Sequence, residues 1–281
     1  MPKYPPPPPP TPATELELLF LGTGTSAGIP MIGCHCPVCT STDPHDTRTR
    51  ASVLIRFPDP SAPHSQTRQI LIDASPDLRT QCLRENINHL DAVLYTHSHA
   101  DHIMGTDDLR RFNAVQQQPL DIYADPPTLE VLARMFRYIF EPHTNVNQSF
   151  VASLIPHTLT HNQPFTLFGV TFTPLLLLHG RLPITGFRID HNHKSIAYCT
   201  DVSSIPPETL PHLTNLDALV LDGLRHKHHP THLTIDRACQ YAEQLNAKQT
   251  YLTHIAHEVS HAQVSPQLPH KVFLGADGLR V

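Results

Sequence analysis

The stretch Tyr95-Thr96-His97-Ser98-His99-Ala100-Asp101-His102 constrains this chain more than any other. Three imidazoles and a carboxylate fall within six residues, directly after the apolar run Ala92-Val93-Leu94-Tyr95. That run is short and rich in strand formers, so a buried strand is expected there, with the cluster where it ends. Neutral imidazole and carboxylate are the usual nitrogen and oxygen ligands of zinc and similar divalent ions. Four such groups on one turn do not all reach a single tetrahedral ion. The spacing suits a pair of ions better, with His97 and His99 on one and Asp101 and His102 on the other. The chain holds 22 histidines, so some clustering arises by chance. The pattern HxHxDH at a strand end favours metal binding over a polar loop.

The second half repeats the arrangement of an apolar run followed by a metal-capable residue. Leu175–Leu178 ends at His179, Ser195–Thr200 at Asp201, Leu216–Leu221 at Asp222 and Thr250–Thr253 at His254. Several strand ends bearing His or Asp, all expected at one sheet edge, are hard to assign to chance. Strands mixed with helices in two halves predict an α/β fold, a four-layer αββα sandwich with the site in the cleft between the sheets.

Upstream, Leu16–Leu21 reads as a strand running into Gly22-Thr23-Gly24-Thr25-Ser26-Ala27-Gly28, whose glycines are expected to let backbone approach the metal cleft. Cys34, Cys36 and Cys39 follow in the spacing CxCxxC. Disulfides across such short loops would be strained, whereas three thiolates supply three legs of a tetrahedral zinc site. Cys82, Cys199 and Cys239 sit alone in apolar contexts and read as core cysteines. Ala51–Phe57 and Gln69–Asp73 predict a hairpin, and Asp73 is placed to orient a ligand. Ser75-Pro76 predicts a helix start carrying Leu78, Cys82 and Leu83 on one side. Leu109, Phe112 and Val115 have helical spacing. One helix is expected over Pro127–Phe140, and another after Thr234 with Ile235, Ala238, Ala242 and Leu245 inward.

The apolar fraction of 40% supports a sizeable core over residues 15–281, expected as one domain. Residues 1–14 carry the run Pro5–Pro10 and predict a disordered proline-rich tail, compatible with an SH3- or WW-type contact. No apolar h-region follows Met1 and no stretch is long enough to span a membrane, so a cytoplasmic protein with reduced thiols is expected. The formal net charge of −5 offers no basic footprint for long nucleic acid.

The HxHxDH motif, with His179, Asp201 and His254 behind it, resembles the metallo-β-lactamase superfamily from about Leu16 to the C-terminus. The resemblance implies one ion held by His97, His99 and His179, a second by Asp101, His102 and His254, and Asp201 bridging both. Leu21-Gly22-Thr23-Gly24, the CxCxxC run and Thr253-His254-Ile255-Ala256-His257 resemble more narrowly the PhnP-like cyclic phosphodiesterases of the carbon–phosphorus lyase pathway. A related CxCxxC occurs in the pyrroloquinoline-quinone biosynthesis protein of the same superfamily. The narrower resemblance implies His257 as the fourth ligand of a structural zinc, and His232, in Pro230-Thr231-His232-Leu233, as general acid. Asp222 carries over no role, and the proline-rich tail has no counterpart.

These expectations describe a metal-dependent phosphodiesterase acting on a small or cyclic diester, with two active-site divalent ions, zinc or manganese, and one structural zinc. A homodimer is compatible with such a protein. The fold also hosts other chemistry. A tRNA 3′-processing endonuclease is disfavoured by the acidic charge. A hydrolase of non-phosphate esters or lactones is disfavoured by His232 as a placed acid. A non-catalytic, zinc-stabilised scaffold recruiting partners through its tail is the reading of a different class.

Overall fold

The computed structural model describes residues 12–59, 61, 62 and 67–281. The proline run Pro5–Pro10 lies outside the described residues. Among the described residues, thirteen strands build two sheets. The first contains β1 (Glu17–Gly22), β2 (Ser52–Pro58), β3 (Thr67–Ile72), β4 (Ala92–Leu94), β5 (Leu120–Ala124) and β6 (Leu154–Thr158), in that spatial order. The second contains β7 (Phe165–Leu167), β8 (Val170–His179), β9 (Leu182–His191), β10 (Lys194–Cys199), β11 (Ala218–Asp222), β12 (Gln249–Thr253) and β13 (Val272–Leu274), in reverse spatial order.

Strand periodicity explains the layering. Successive side chains point to opposite faces, so each apolar strand serves two cores. In β10, Ile196 and Tyr198 join Phe20, Val53, Ile55, Ile70 and Ile72 of the first sheet in a core between the sheets. Ala197 and Cys199 of the same strand turn outward. They pack with Ile235, Ala238 and Ala242 of α6 (Ile235–Leu245), and with Val264 of α7 (His261–Val264). The outer face of the first sheet offers Leu19, Leu54, Leu71, Val93 and Ile122. These meet Leu78 and Cys82 of α1 (Leu78–Arg84), Phe112 of α3 (Arg110–Gln116), Leu132 of α4 (Pro126–Met135) and Ile139 of α5 (Arg137–Phe140). The result is the expected αββα sandwich, with α2 (Ala100–Ile103) set into the metal-capable turn after β4.

Several local expectations change. The helix after Ser75 starts at Leu78, because the Ser75 hydroxyl accepts from Asp77 N (3.1 Å) and donates to Gln81 (3.0 Å), closing a turn instead of a cap. Leu83 and Val115 are exposed. The single helix expected over Pro127–Phe140 is two, broken at Phe136, whose φ of −114° and ψ of 46° leave helical space. Cys239 is only half-buried. Gly22 and Gly24 permit close approach to the backbone before β2, and the same turn pairs with the residue after His254, Thr25 N donating to Ile255 O (3.1 Å) and Ile255 N to Thr23 O (2.8 Å). A Cβ on Gly22 would stand 2.0 Å from Arg50 O, and one on Gly24 2.7 Å from Arg48 O.

Topology gathers the chemistry at one edge. Strands β10, β11 and β12 are parallel, and β8 runs the same way because β9 is antiparallel to both β8 and β10. Their C-terminal ends therefore deliver His179, Asp201, Asp222 and His254 to one side. The first sheet delivers the turn after β4, and Thr185 N of β9 donates to Thr96 O (2.9 Å), joining the sheets there. Among the described residues, no helix is long and apolar enough to cross a membrane.

Candidate metal centre

Three site residues leave their strands through left-handed backbone: Asp73 (φ 66°), Asp201 (φ 58°) and His254 (φ 56°). Such conformations cost non-glycine residues on the order of 1–3 kcal/mol each and cluster at functional sites.

The expected ligands converge as two groups. Ligand atoms of His97, His99 and His179 lie within 4.8 Å of one another, and so do those of Asp101, His102, Asp201 and His254. All are buried except His99, which is exposed at the mouth. Asp201 stands between the groups. Its Oδ1 is 3.9 Å from His97 Nε2 and 3.2 Å from His254 Nε2, and its Oδ2 is 3.2 Å from His102 Nε2. Asp101 Oδ2 is 3.3 Å from His102 Nε2 and 3.5 Å from His254 Nε2.

These spacings suit a cation. Ligands ~2.0–2.1 Å from one tetrahedral ion are separated by about 3.3 Å. Despite the short contacts, His97 Nε2 and His102 Nε2 are buried without a hydrogen-bond partner. Nitrogen lone pairs left without hydrogen-bond partners, one in each ligand group, are what bound divalent ions satisfy.

The opposite ring nitrogens of His97, His102 and His179 have partners, whereas among the described residues His254 Nδ1 is buried without one. His102 Nδ1 donates to Asp73 Oδ2 (2.7 Å), and His97 Nδ1 to Thr96 Oγ1 (2.9 Å), whose own proton goes to Asp73 Oδ2 (2.8 Å). His179 Nδ1 donates to the Asp201 carbonyl (2.9 Å). These bonds fix ring orientation and leave each Nε2 free, as ligating histidines require. Asp73 thus has the orienting place expected of it.

Charge gives a second reason. Asp73, Asp101, Asp201 and Asp222 are all buried, and among the described residues their ion-pair partners are histidines alone. Burial pushes Asp73 up, partly offset by His102. Burial pulls Asp201 the same way, but His254 and His102 overcome it and hold the carboxyl well below its usual range. Asp101 is likewise held low by His102 against burial. Burial works against protonating His102 too, yet the surrounding carboxylates raise it well above its ordinary value. His97 and His179 are pushed down by burial, as neutral ligands should be. An excess of buried carboxylate is costly unless cations enter.

His232 joins the site as expected, within ligand distance of His179 and Asp201 and stacked on His254 at 4.6 Å between ring centroids. Asp222 is the residue sequence reasoning left without a role. It is fully buried, and its Oδ2 accepts from His232 Nδ1 at 2.6 Å. Burial drives both towards neutrality, lifting Asp222 well above the carboxylate range and lowering His232 to about 4, with the His254 charge adding to the latter. The one signal in the sequence was that Asp222 ends its strand as Asp201 nearly does.

The cysteines form a separate cluster beside the loop before β2. His257 Nδ1 lies 3.3 Å from Cys34 Sγ, 3.4 Å from Cys36 Sγ and 3.8 Å from Cys39 Sγ. A tetrahedral zinc with three sulfurs at ~2.3 Å and one nitrogen at ~2.0 Å would separate them by about 3.5 Å. Cys39 N donates to Cys36 Sγ (3.4 Å), and this backbone bond is the main cause lowering the Cys36 thiol to about 6. Burial pushes Cys39 up to about 11.

A family profile described as a beta-lactamase superfamily domain matches residues 68–255. The chain belongs to the metallo-β-lactamase superfamily, a fold that implies divalent metal ions. Within it, the chain is similar to a solved diphosphatase from the PhnP family, at 42% identity and a TM-score of 0.83, covering 95% of this chain and 97% of that one. A curated octanoyltransferase from Porphyromonas gingivalis is 37% identical over 258 residues. That match covers 90% of this chain and 49% of that protein, so the chain spans about half the length of that curated relative. Zn2+-bound PqqB from Methylobacterium extorquens, 20% identical with a TM-score of 0.74 over 94% of this chain and 99% of its own, agrees in fold.

Proposed function

We propose that this chain is a dinuclear metal-dependent phosphodiesterase that hydrolyses a small or cyclic phosphodiester. The observation that carries the reading is the buried Asp222–His232 pair set against two ligand groups that share Asp201. His97, His99 and His179 would hold one ion, Asp101, His102 and His254 the other, with Asp201 common to both. When bound, such a pair supplies an acidified water and neutralises charge on phosphoryl oxygens. The water oxygen adds to phosphorus, the P–O bond to the leaving group breaks, and the departing alkoxide takes a proton. Asp222, by accepting from Nδ1, holds the His232 ring so that its other nitrogen can take the proton released by the attacking water and pass it to the departing oxygen. Cys34, Cys36, Cys39 and His257 would hold a third ion, a structural zinc.

The diphosphatase at 42% identity favours a second substrate, since water attack at phosphorus also cleaves a phosphoanhydride. A panel of cyclic ribose phosphates, aryl diesters, diphosphates and lactones, assayed with metal-reconstituted protein, separates these readings. The decisive comparison uses His232→Ala. An ester with a ribose alkoxide leaving group should lose on the order of 10²-fold in kcat. A p-nitrophenyl diester, whose aryloxide departs unaided, should lose much less, with metal content unchanged. Equal losses on both would contradict the acid role, and lost metal would make His232 a ligand.

A further inference from the structure

One surface carboxylate, Glu258, lies against a residue of the cysteine cluster and against the arginine at the neck of the loop that carries His232. Glu258 directly follows His257, and its Oε2 lies 3.7 Å from His257 Nε2, the ring nitrogen opposite the one facing the cysteine sulfurs. Its Oε1 accepts from Arg225 Nη1 at 2.6 Å. Arg225 stands at the neck of the loop between β11 and α6. Leu224 N donates to Leu233 O and Ile235 N to Arg225 O, both at 3.1 Å, which closes that neck. His232 sits just inside it. Arg225 Nε also donates to Lys227 O (3.3 Å), stiffening the first residues of the loop. Ala256 N donates to Leu224 O (2.9 Å), so the turn carrying His254 and His257 is tied to the same neck.

We propose that Glu258 is a positioning residue for both sites: it orients His257 in the cysteine cluster and, through Arg225, holds the loop that presents His232. The second half rests on the reading of His232 as proton donor. A carboxylate hydrogen-bonded behind a ligating histidine fixes its ring, and losing such a partner typically weakens metal binding ~10–100-fold. Glu258, at 3.7 Å, makes the charge contact without the hydrogen bond, which puts its effect at the low end of that range. An exposed ion pair of this kind adds little to stability. Its effect therefore belongs in placement of the histidine, where small displacements are costly to rate.

The test separates the halves. Protein reconstituted with Co2+ reports the cysteine cluster alone through its thiolate-to-metal absorption, and loss of that band to a chelator gives retention. Glu258→Ala should release this metal roughly 10-fold faster. It should also lower kcat on a ribose-alkoxide diester about 10-fold, while an aryl diester changes little. Arg225→Ala should reproduce only the kinetic effect. The charge swap, Arg225→Glu with Glu258→Arg, should recover the alkoxide rate. Wild-type retention of cobalt in Glu258→Ala would overturn the first half. Equal losses on the two diesters, or no recovery in the swap, would overturn the second. A wild-type chain that hydrolyses no phosphodiester would remove the His232 reading and the loop half with it, while cobalt release would still decide the His257 half.

Discussion

Asp73 shows how much a single side chain arranges here. Its Oδ1 accepts from Thr96 N (2.8 Å), and its Oδ2 accepts from His102 Nδ1 and from the Thr96 hydroxyl that supports His97. One buried carboxylate thus sets a histidine in each ligand group. Asp73→Asn puts an amide where donors converge, so active-site metal affinity should fall ~10–100-fold in a chelator competition, and unchanged affinity would contradict this role. The candidate ligands His97, His99, Asp101 and His102 were legible as a cluster, because HxHxDH states its chemistry within one turn. Asp222 was not. It ends a strand much as Asp201 does, and only the direction in which each leaves its strand separates a carboxylate between ligand groups from one behind His232.

Among the elements, the connection from β1 to β2 most needs explanation. Between Gly22 and Ser52 it holds no strand or α-helix, only a short 3-10 turn at Pro44–Asp46. Asp277 binds both ends of it, accepting from Thr23 N and Thr49 N at 2.9 Å each, and the cysteine cluster gathers its middle. The account predicts that a chelator uncovers Cys36 to iodoacetamide. Because its thiol is lowered to about 6, labelling of the stripped protein should be fast at pH 8 and fall as pH drops through about 6. Cys199, pushed up to about 12 by burial, should stay unmodified. Equal labelling of Cys36 before and after chelation would rule out metal at the cluster. CxCxxC announced the site, but its loop's route did not follow from local pattern. Nor did the break at Phe136, where apolar spacing continued through a residue whose buried ring packs with Leu132 and Ile139 after the helix has turned away.

For the whole molecule, the two-sheet sandwich was readable because alternating and continuous apolar runs need cover on both faces, and the resemblance supplied the layer order. The pairing of strands and the Thr96–Thr185 bond between sheets were beyond it, since register depends on contacts distant in sequence. The sandwich works as a frame that brings two strand-end clusters together over Asp201. Metal counting in wild type and Asp201→Ala by inductively coupled plasma mass spectrometry tests that directly. Wild-type protein purified with excess metal should carry about three divalent ions per chain, two at the sheet edge and one at the cysteines. Asp201→Ala should lose one or both of the edge ions and keep the cysteine-held one. An unchanged metal count in Asp201→Ala would contradict a dinuclear centre built on a shared Asp201.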